Sequence, residues 1–559
     1  MRIGSVFSLA AALALGGAAF AQAAVAQAPA TPVGTPAFTP EGFRAHVAFL
    51  ADDLLQGRDA GSPGYEIAAR YVASRFEALG LRPAGTGAGA GAGAGAGNWY
   101  QQVPFSSATL ADTPARVTVG GRSFANGVGV LVRPHAAELN QSVAANAVFA
   151  GYGLDAPAQG FDDYRGLDVR GKWVALLGGY PEGTASEIGA HLNAEKARMA
   201  ERRGAIGVIT LLTRADLARR PWARRTEAMR EPSLAWSNAD GTPYSGAPGI
   251  RGAATFDVAA GQALFAGASR TFDAVLDEAA RPGAKPRGFA LKAPVKLERQ
   301  TVARRITSPN VLAILPGSDP KLAGEYVLLM AHLDHVGTNP AKSGDPIYNG
   351  AMDNATGTAT MLEVARAMAS SPNRPRRPIL FAAVTAEEKG LLGAEYLAKH
   401  PVVGNGPNGP GRVVGVVNLD MPVLLYQFSD VIAFGANHST LGPIVERAAA
   451  GMNVKLTPDP LPGEGLFTRS DHYKFVREGI PSVFLMTGFA GQGEERFKNF
   501  LATHYHQPSD DLKLPIDWVA GARFAEINYR IAREIANADA APKWNADSFF
   551  APSRTSAAR

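Results

Sequence analysis

The chain has 559 residues, enough for more than one domain and a sizeable core. Its composition, 46% hydrophobic and 19% charged, is that of an ordinary globular protein. A net charge of +5 is small for this length, and no basic stripe is interleaved with aromatics, which argues against nucleic acid as a partner.

The first residues read as a targeting segment. Arg2 supplies a positive charge, "VFSLAAALALGGAAF" is an apolar core, and "AQA" at 21–23 or 26–28 offers small residues for cleavage. Residues 1–28 are therefore expected to be a signal peptide and the mature protein to be exported, to a bacterial periplasm or the medium. The apolar run is short and leads into a Pro/Ala-rich stretch, and no later segment is long and apolar enough to span a bilayer. Cysteine is absent, so an exported chain of this kind has no disulfides and must rely on its core, and on any metal it holds.

Residues 40–114 open a folded region. A Gly/Asp/Ser/Pro turn precedes an amphipathic helix on which Ile67, Tyr71, Val72 and Phe76 are expected to share one side. The "GTGAGAGAGAGAG" stretch at 85–97 has almost no side chain larger than alanine. It reads as a flexible surface insertion without chemistry.

Residues 115–295 change character. Short β-type runs, "ARVTV", "VGVLV", "AVFAGYG" and "KWVALLGGY", are separated by turn residues, and a helical stretch, "AEKARMAERRG", leads into "AIGVITLL". This segment has two histidines, His135 and His191, and no histidine–carboxylate constellation. It is expected to be an inserted, β-rich α+β domain that contributes no metal ligand.

Residues 300–540 alternate strand, loop and helix. Candidate strands at 326–330, 379–384, 413–419 and 482–486 are short, continuous and apolar, as expected of strands covered on both faces. Helices are expected at 358–369 and 518–536. The fold class is α/β, with a mixed, largely parallel sheet and helices on both faces. Residues 541–559 form a C-terminal tail.

Metal-binding residue types follow those strands. His332 and Asp334 follow the first, Glu387 and Glu388 the second, and Asp420 the third. Open α/β sheets bind ligands beyond the carboxyl ends of their strands, so the reading converges these groups on one place. Asp353 sits at a turn opening a helix, and His506 lies in a loop before the last helix. Taken singly, each has an ordinary alternative: Asp353 as a helix cap, Asp420 as a turn residue, the glutamates as solvated charges. Together, imidazoles and carboxylates without thiolates suit zinc held by nitrogen and oxygen.

Six motifs then appear in order: "AHLDHVG", "GAMDNATGTATMLEVAR", "TAEEKGLLGAEYL", "NLDM", "SDHYKFVREGIPSVFL" and "YHQPSDDL". With them the sequence resembles the M28 family of zinc aminopeptidases, and residues 115–295 more loosely resemble a protease-associated domain. The resemblance implies two zinc ions per chain. His332, Asp353 and Asp420 would hold one; Glu388, Asp353 and His506 the other, with Asp353 bridging. It implies Glu387 as general base for a zinc-activated water, Asp334 as the residue that orients His332 through its other ring nitrogen, and Tyr505 as a donor to the oxyanion. His504 competes with His506 for the last ligand position, which the motif gives to His506; His335 and His472 take supporting places. The substrates implied are peptides. The sequence also leaves open a glutaminyl-cyclase-like, carboxypeptidase or dipeptidase activity on the same fold, or a non-catalytic binding module. The stretch after "NLDM", "PVLLYQFSDVIAFG", lacks a Gly-Arg common in the family, which bears on substrate choice rather than on the metal site.

Overall fold

Four apolar segments build the centre of the protein: β4 (Glu325–His332), β5 (Ile379–Val384), β6 (Arg412–Leu419) and β9 (Ser482–Thr487). They are mutually parallel, in the order β5-β4-β6-β9. Successive side chains on a strand point to opposite faces, so each of these strands feeds two cores. Val327, Leu329 and Ala331 of β4, with Phe381 of β5, face one layer, while Leu328, Met330 and Leu380 face the other. The first layer is α1 (Pro40–Leu50), α4 (Thr356–Ser370) and α6 (Trp518–Asn537), which pack on one another. On the second face lie Ala394 and Leu397 of the helix Leu392–Lys399, and Phe475 of α5 (His472–Arg477).

The computed structural model describes residues 36–86, 98–227, 229, 231–403 and 409–552. The expected signal segment, positions 87–97 of the Gly/Ala stretch and the last seven residues of the tail lie outside these. From Ala37 on, the chain forms one compact unit. No helix among the described residues is long and apolar enough to cross a membrane.

The sheet extends well beyond its parallel centre. β1 (Tyr100–Leu110), β2 (Ser233–Trp236) and β3 (Val295–Leu315) add antiparallel strands beside β5. Beyond β9, β7 (Asp430–Phe434) runs antiparallel to it and carries β8 (Lys455–Thr457) at the edge. The sheet is therefore mixed, parallel where it carries the polar strand ends and antiparallel at its flanks.

Residues 115–295 form their own six-stranded sheet, whose central strands Ala147–Phe149, Trp173–Leu177, Gly207–Leu211 and Gly252–Phe256 run parallel. Two connections tie it to the central sheet. β2 comes from within this segment and pairs with β1. β3 is a 21-residue strand that pairs with Asn140–Ala145 at its start and with β1 and β5 further on, so the expected boundary at 295–300 falls inside one strand. A third contact is made by α3 (Ser186–Ala194), which packs against Leu466–Thr468; His191 Nδ1 lies 2.7 Å from the Tyr473 hydroxyl, and Glu187 Oε2 lies 2.6 Å from His438 Nε2.

The early helix, α2 (Pro63–Ala78), is capped by Ser62 and buries Tyr65, Ala68, Ala69, Val72 and Phe76. Ile67, expected on that face, is 45% exposed. The contact face turns on small residues, Ala68 and Ala69, which let the helix approach closely. A count of large apolar side chains mistakes Ile67 for a member of it.

Candidate metal centre

The site lies at the carboxyl ends of the parallel strands. His332 is the last residue of β4, and Asp420 directly follows β6. Glu387 and Glu388 follow β5 after a sharp turn in which Ala386 has φ of +54°. Asp353 sits in the irregular turn Ala351–Ala355 that opens α4, and His506 precedes α6. A positive φ is unfavourable for a residue with a Cβ, costing on the order of 1–2 kcal/mol. Ala386, Met421 beside Asp420, and His506 all adopt one, so the backbone is bent to aim these groups inward.

Two sets of donor atoms share one carboxylate. His332 Nε2 lies 3.1 Å from Asp420 Oδ1 and 3.3 Å from Asp353 Oδ1. His506 Nε2 lies 3.1 Å from Glu388 Oε2 and 3.3 Å from the other Asp353 oxygen, Oδ2. Atoms bound to one tetrahedral zinc at 2.0–2.1 Å are separated by about 3.3 Å. Both sets have that spacing, and their donors are imidazole nitrogens and carboxylate oxygens, so the residues fit the metal. A third imidazole, His335, reaches Glu388 Oε1 at 2.8 Å.

The electrostatics of the chain alone agree with tight mutual pairing. Burial opposes the charge on His332, but Asp420, Glu387 and Asp353 outweigh it and hold the ring well above its ordinary range. His506 is raised to about 11, against burial, by Glu388 and Asp353. Burial also works against Asp353 and Glu388, yet their histidine partners hold both carboxyls well below the usual range. Glu387 goes the other way. Burial pushes it well above the usual range and, against the pull of His332, the charges of Glu388 and Asp420 add to the shift. The adjacent glutamates thus differ in environment: Glu388 is engaged by histidines, while Glu387 lines a cavity of about 250 Å³ with His332, Asp353, Asp420 and Tyr505.

Residues 310–532 match the family model described as peptidase family M28. This stretch is an M28 peptidase domain. Among curated proteins, the chain is 40% identical over 129 residues to a probable zinc metalloprotease of Leptosphaeria maculans, covering 22% of this chain and 27% of that protein. It is 31% identical over 186 residues to leupeptin-inactivating enzyme 1 of Streptomyces exfoliatus, covering 33% and 36%. The matches thus span about a quarter to a third of those relatives. Among solved structures, the aminopeptidase from Aneurinibacillus sp. strain AM-1 gives a TM-score of 0.49 at 20% identity, covering 89% of this chain and 94% of that one. A zinc aminopeptidase from Bacillus subtilis gives 0.45 at 19%, covering 91% and 98%.

Within the M28 domain, several residues outside the expected set hold the site together. Asn354 is buried and staples three segments: its amide nitrogen donates to Leu419 O at 3.0 Å and His332 O at 3.4 Å, and its oxygen accepts from the N–H of Gly357 and Met421. Asp510 accepts from the main-chain N–H of Met352 and Asp353, fixing the turn that carries the shared carboxylate. Ser470 donates to Asp420 Oδ2. Arg58, from the N-terminal segment, is fully buried and donates only to main-chain carbonyls: Leu333 at 3.0 Å, Asn349 at 2.6 Å, Gly350 at 3.1 Å, and Leu50. It fastens the loops before His335 and Asp353 to the first helix. Asn354, Asp510 and Ser470 lie within the six motifs and Arg58 lies far ahead of them, and no spacing rule singles any of the four out.

Asp334 behaves differently from the expectation. Its carboxylate accepts the main-chain N–H of Glu387 at 3.0 Å and of Glu388 at 3.3 Å, while the other nitrogen of His332, Nδ1, meets the Asp334 main-chain carbonyl at 3.1 Å. The residue is next but one to His332, so its backbone bends back to the ring and its side chain is free to hold the glutamate turn. His504 pairs with Ser509 at 2.9 Å rather than with the acidic cluster. His472 is buried between the rings of Phe467 and Phe484, which lower it to about 3 through burial.

Proposed function

We propose that the chain is an exported metallo-exopeptidase, an aminopeptidase that uses two zinc ions per chain. The observation carrying this reading is the pair of donor sets, His332–Asp420 and His506–Glu388, joined through the two oxygens of Asp353. When bound, zinc supplies a Lewis acid that lowers the pKa of a coordinated water and polarises a carbonyl.

The remaining chemistry falls to the chain. Glu387 is the base: it lines the cavity beside His332, Asp353 and Asp420 without belonging to either histidine pair, which leaves its carboxylate to take a proton from water and give it to the departing amine. Tyr505 lines the same cavity, stacks on His506 with ring centroids 3.9 Å apart, and is kept as a neutral hydroxyl by burial. That hydroxyl is the proposed donor to the carbonyl oxygen as it gains charge. Asp334 positions both glutamates by holding their amides.

Phe484, Met486, Phe497 and Leu501 give the cavity an apolar part, which suits an apolar side chain of the substrate. Residues 115–295 are proposed as a separate module that packs α3 against Leu466–Thr468 without supplying a ligand. Metal content, together with hydrolysis of aminoacyl substrates against their N-blocked counterparts, tests the reading. Two zinc ions and cleavage of free N-termini alone are expected; cleavage of N-blocked substrates, or one ion in fully active enzyme, would overturn it.

A further inference from the structure

Glu388 has two oxygens, and they meet different partners. Oε2 is 3.1 Å from His506 Nε2, within the donor set that includes Asp353 Oδ2. Oε1 is 2.8 Å from His335 Nδ1. An ionised carboxylate only accepts, so the proton in that contact is on Nδ1 of His335. The same nitrogen is 4.0 Å from Asp353 Oδ2. That is too long for a hydrogen bond, and longer than the roughly 3.3 Å expected between two donors on one tetrahedral zinc.

The ring is held where it is. His335 is fully buried. Its main-chain N–H donates to Arg58 O at 3.2 Å, and its ring lies against Gly350, where a Cβ would come within 2.6 Å of Cγ. Gly350 has φ of +59°, so both its conformation and its missing side chain serve this packing. The ring therefore has one place to be, with Nδ1 toward Glu388.

We infer that His335 is a positioning residue that occupies Oε1 of Glu388, so that the carboxylate presents a single oxygen, Oε2, beside His506 and Asp353. The inference rests on the two-zinc reading. A carboxylate with both oxygens free can rotate and bind a cation through either or both; a hydrogen bond from a locked ring removes that freedom without neutralising its charge. His335 thereby sets the geometry of the second ion and leaves the set around His332 and Asp420 untouched.

The experiment uses the full mature chain and measures zinc affinity by chelator competition, with cobalt(II) absorption as a report on the donor set. His335→Leu removes the donor; His335→Asn places an amide N–H near the position of Nδ1. The leucine variant is expected to bind the second zinc roughly 10–100-fold more weakly, with the first unchanged. The asparagine variant is expected to recover most of that loss and to keep the wild-type cobalt spectrum. If the leucine variant fails to fold, His335→Ser, whose hydroxyl is too short to reach Glu388, takes its place. Unchanged second-site affinity in the donor-free variant would overturn the inference. So would equal losses in the asparagine and donor-free variants with an altered cobalt spectrum, which would make the ring itself a ligand. Wild-type protein that binds a single ion would instead remove the two-zinc reading, and this inference with it.

Discussion

Replacing each of the paired glutamates by glutamine separates their roles. Glu387→Gln changes a cavity-lining carboxylate to an amide of the same size, while the main-chain contact to Asp334 at 3.0 Å stays. No donor of either histidine set is lost, so zinc content and thermal stability should match the wild type. Turnover should fall by on the order of 10²–10⁴-fold, equivalent to about 2.7–5.5 kcal/mol of barrier, and the loss should appear in kcat. Glu388→Gln behaves differently. Its carboxylate serves His335 at 2.8 Å and faces His506 at 3.1 Å. An amide can keep only one of those two faces as an acceptor, and it loses the negative charge beside a dication. Loss of one charge-assisted interaction is worth about 1.5–3 kcal/mol, or roughly 10–100-fold in zinc affinity. Both variants should be dialysed, assayed for zinc, and assayed for turnover at saturating zinc. If Glu387→Gln sheds metal while Glu388→Gln retains it, the roles are reversed. If neither lowers turnover, the pair is only a charged turn and the mechanism fails.

Removing zinc should lower the unfolding temperature, because a ligand at 100 times its Kd contributes about 2.7 kcal/mol to the folded state; equal melting with and without chelator would contradict this. Arg58→Met should cost about 3 kcal/mol or more, since it leaves the buried carbonyls of Leu333, Asn349 and Gly350 without their donor, and urea unfolding measures it. His472 tests acid sensitivity. Burial holds it at about 3 in the folded protein, below the ordinary histidine value of 6.5, so below pH 6.5 the unfolded chain takes up a proton that the folded chain refuses. Stability from this group is complete above pH 6.5 and falls by about 1.4 kcal/mol per pH unit toward pH 3. In His472→Phe that loss should vanish, closing a gap of about 2 kcal/mol at pH 5 relative to wild type; parallel stability curves would refute it.

The central strands were legible because burial on both faces demands unbroken apolar runs, and such runs are local. Residues 379–384 are both the expected and the observed strand, and the others shift by a residue or two at their ends. The polar groups beyond those runs could be assigned to one end of a sheet by the same rule. What the antiparallel flanks do was not legible, because pairing is a relation between distant segments. Nothing local in "SLAW" (233–236) says that it leaves its own sheet to join β1. Ile67 shows the limit even within one helix, since side-chain size does not say which neighbour a face will meet.

By itself, then, the sequence determined the strand-and-loop order and the residue types able to hold a metal, since both depend on periodicity and chemistry within a few residues. Only the tertiary structure decided how those residues are held. Arg58, Asn354, Asp510 and His335 reach partners on other segments, and the side chain of Asp334 holds the glutamate turn while its backbone meets His332. A hydrogen bond across 291 positions, such as Arg58 to Asn349, is fixed by where the fold brings the chain back together, and no spacing in the sequence encodes that distance.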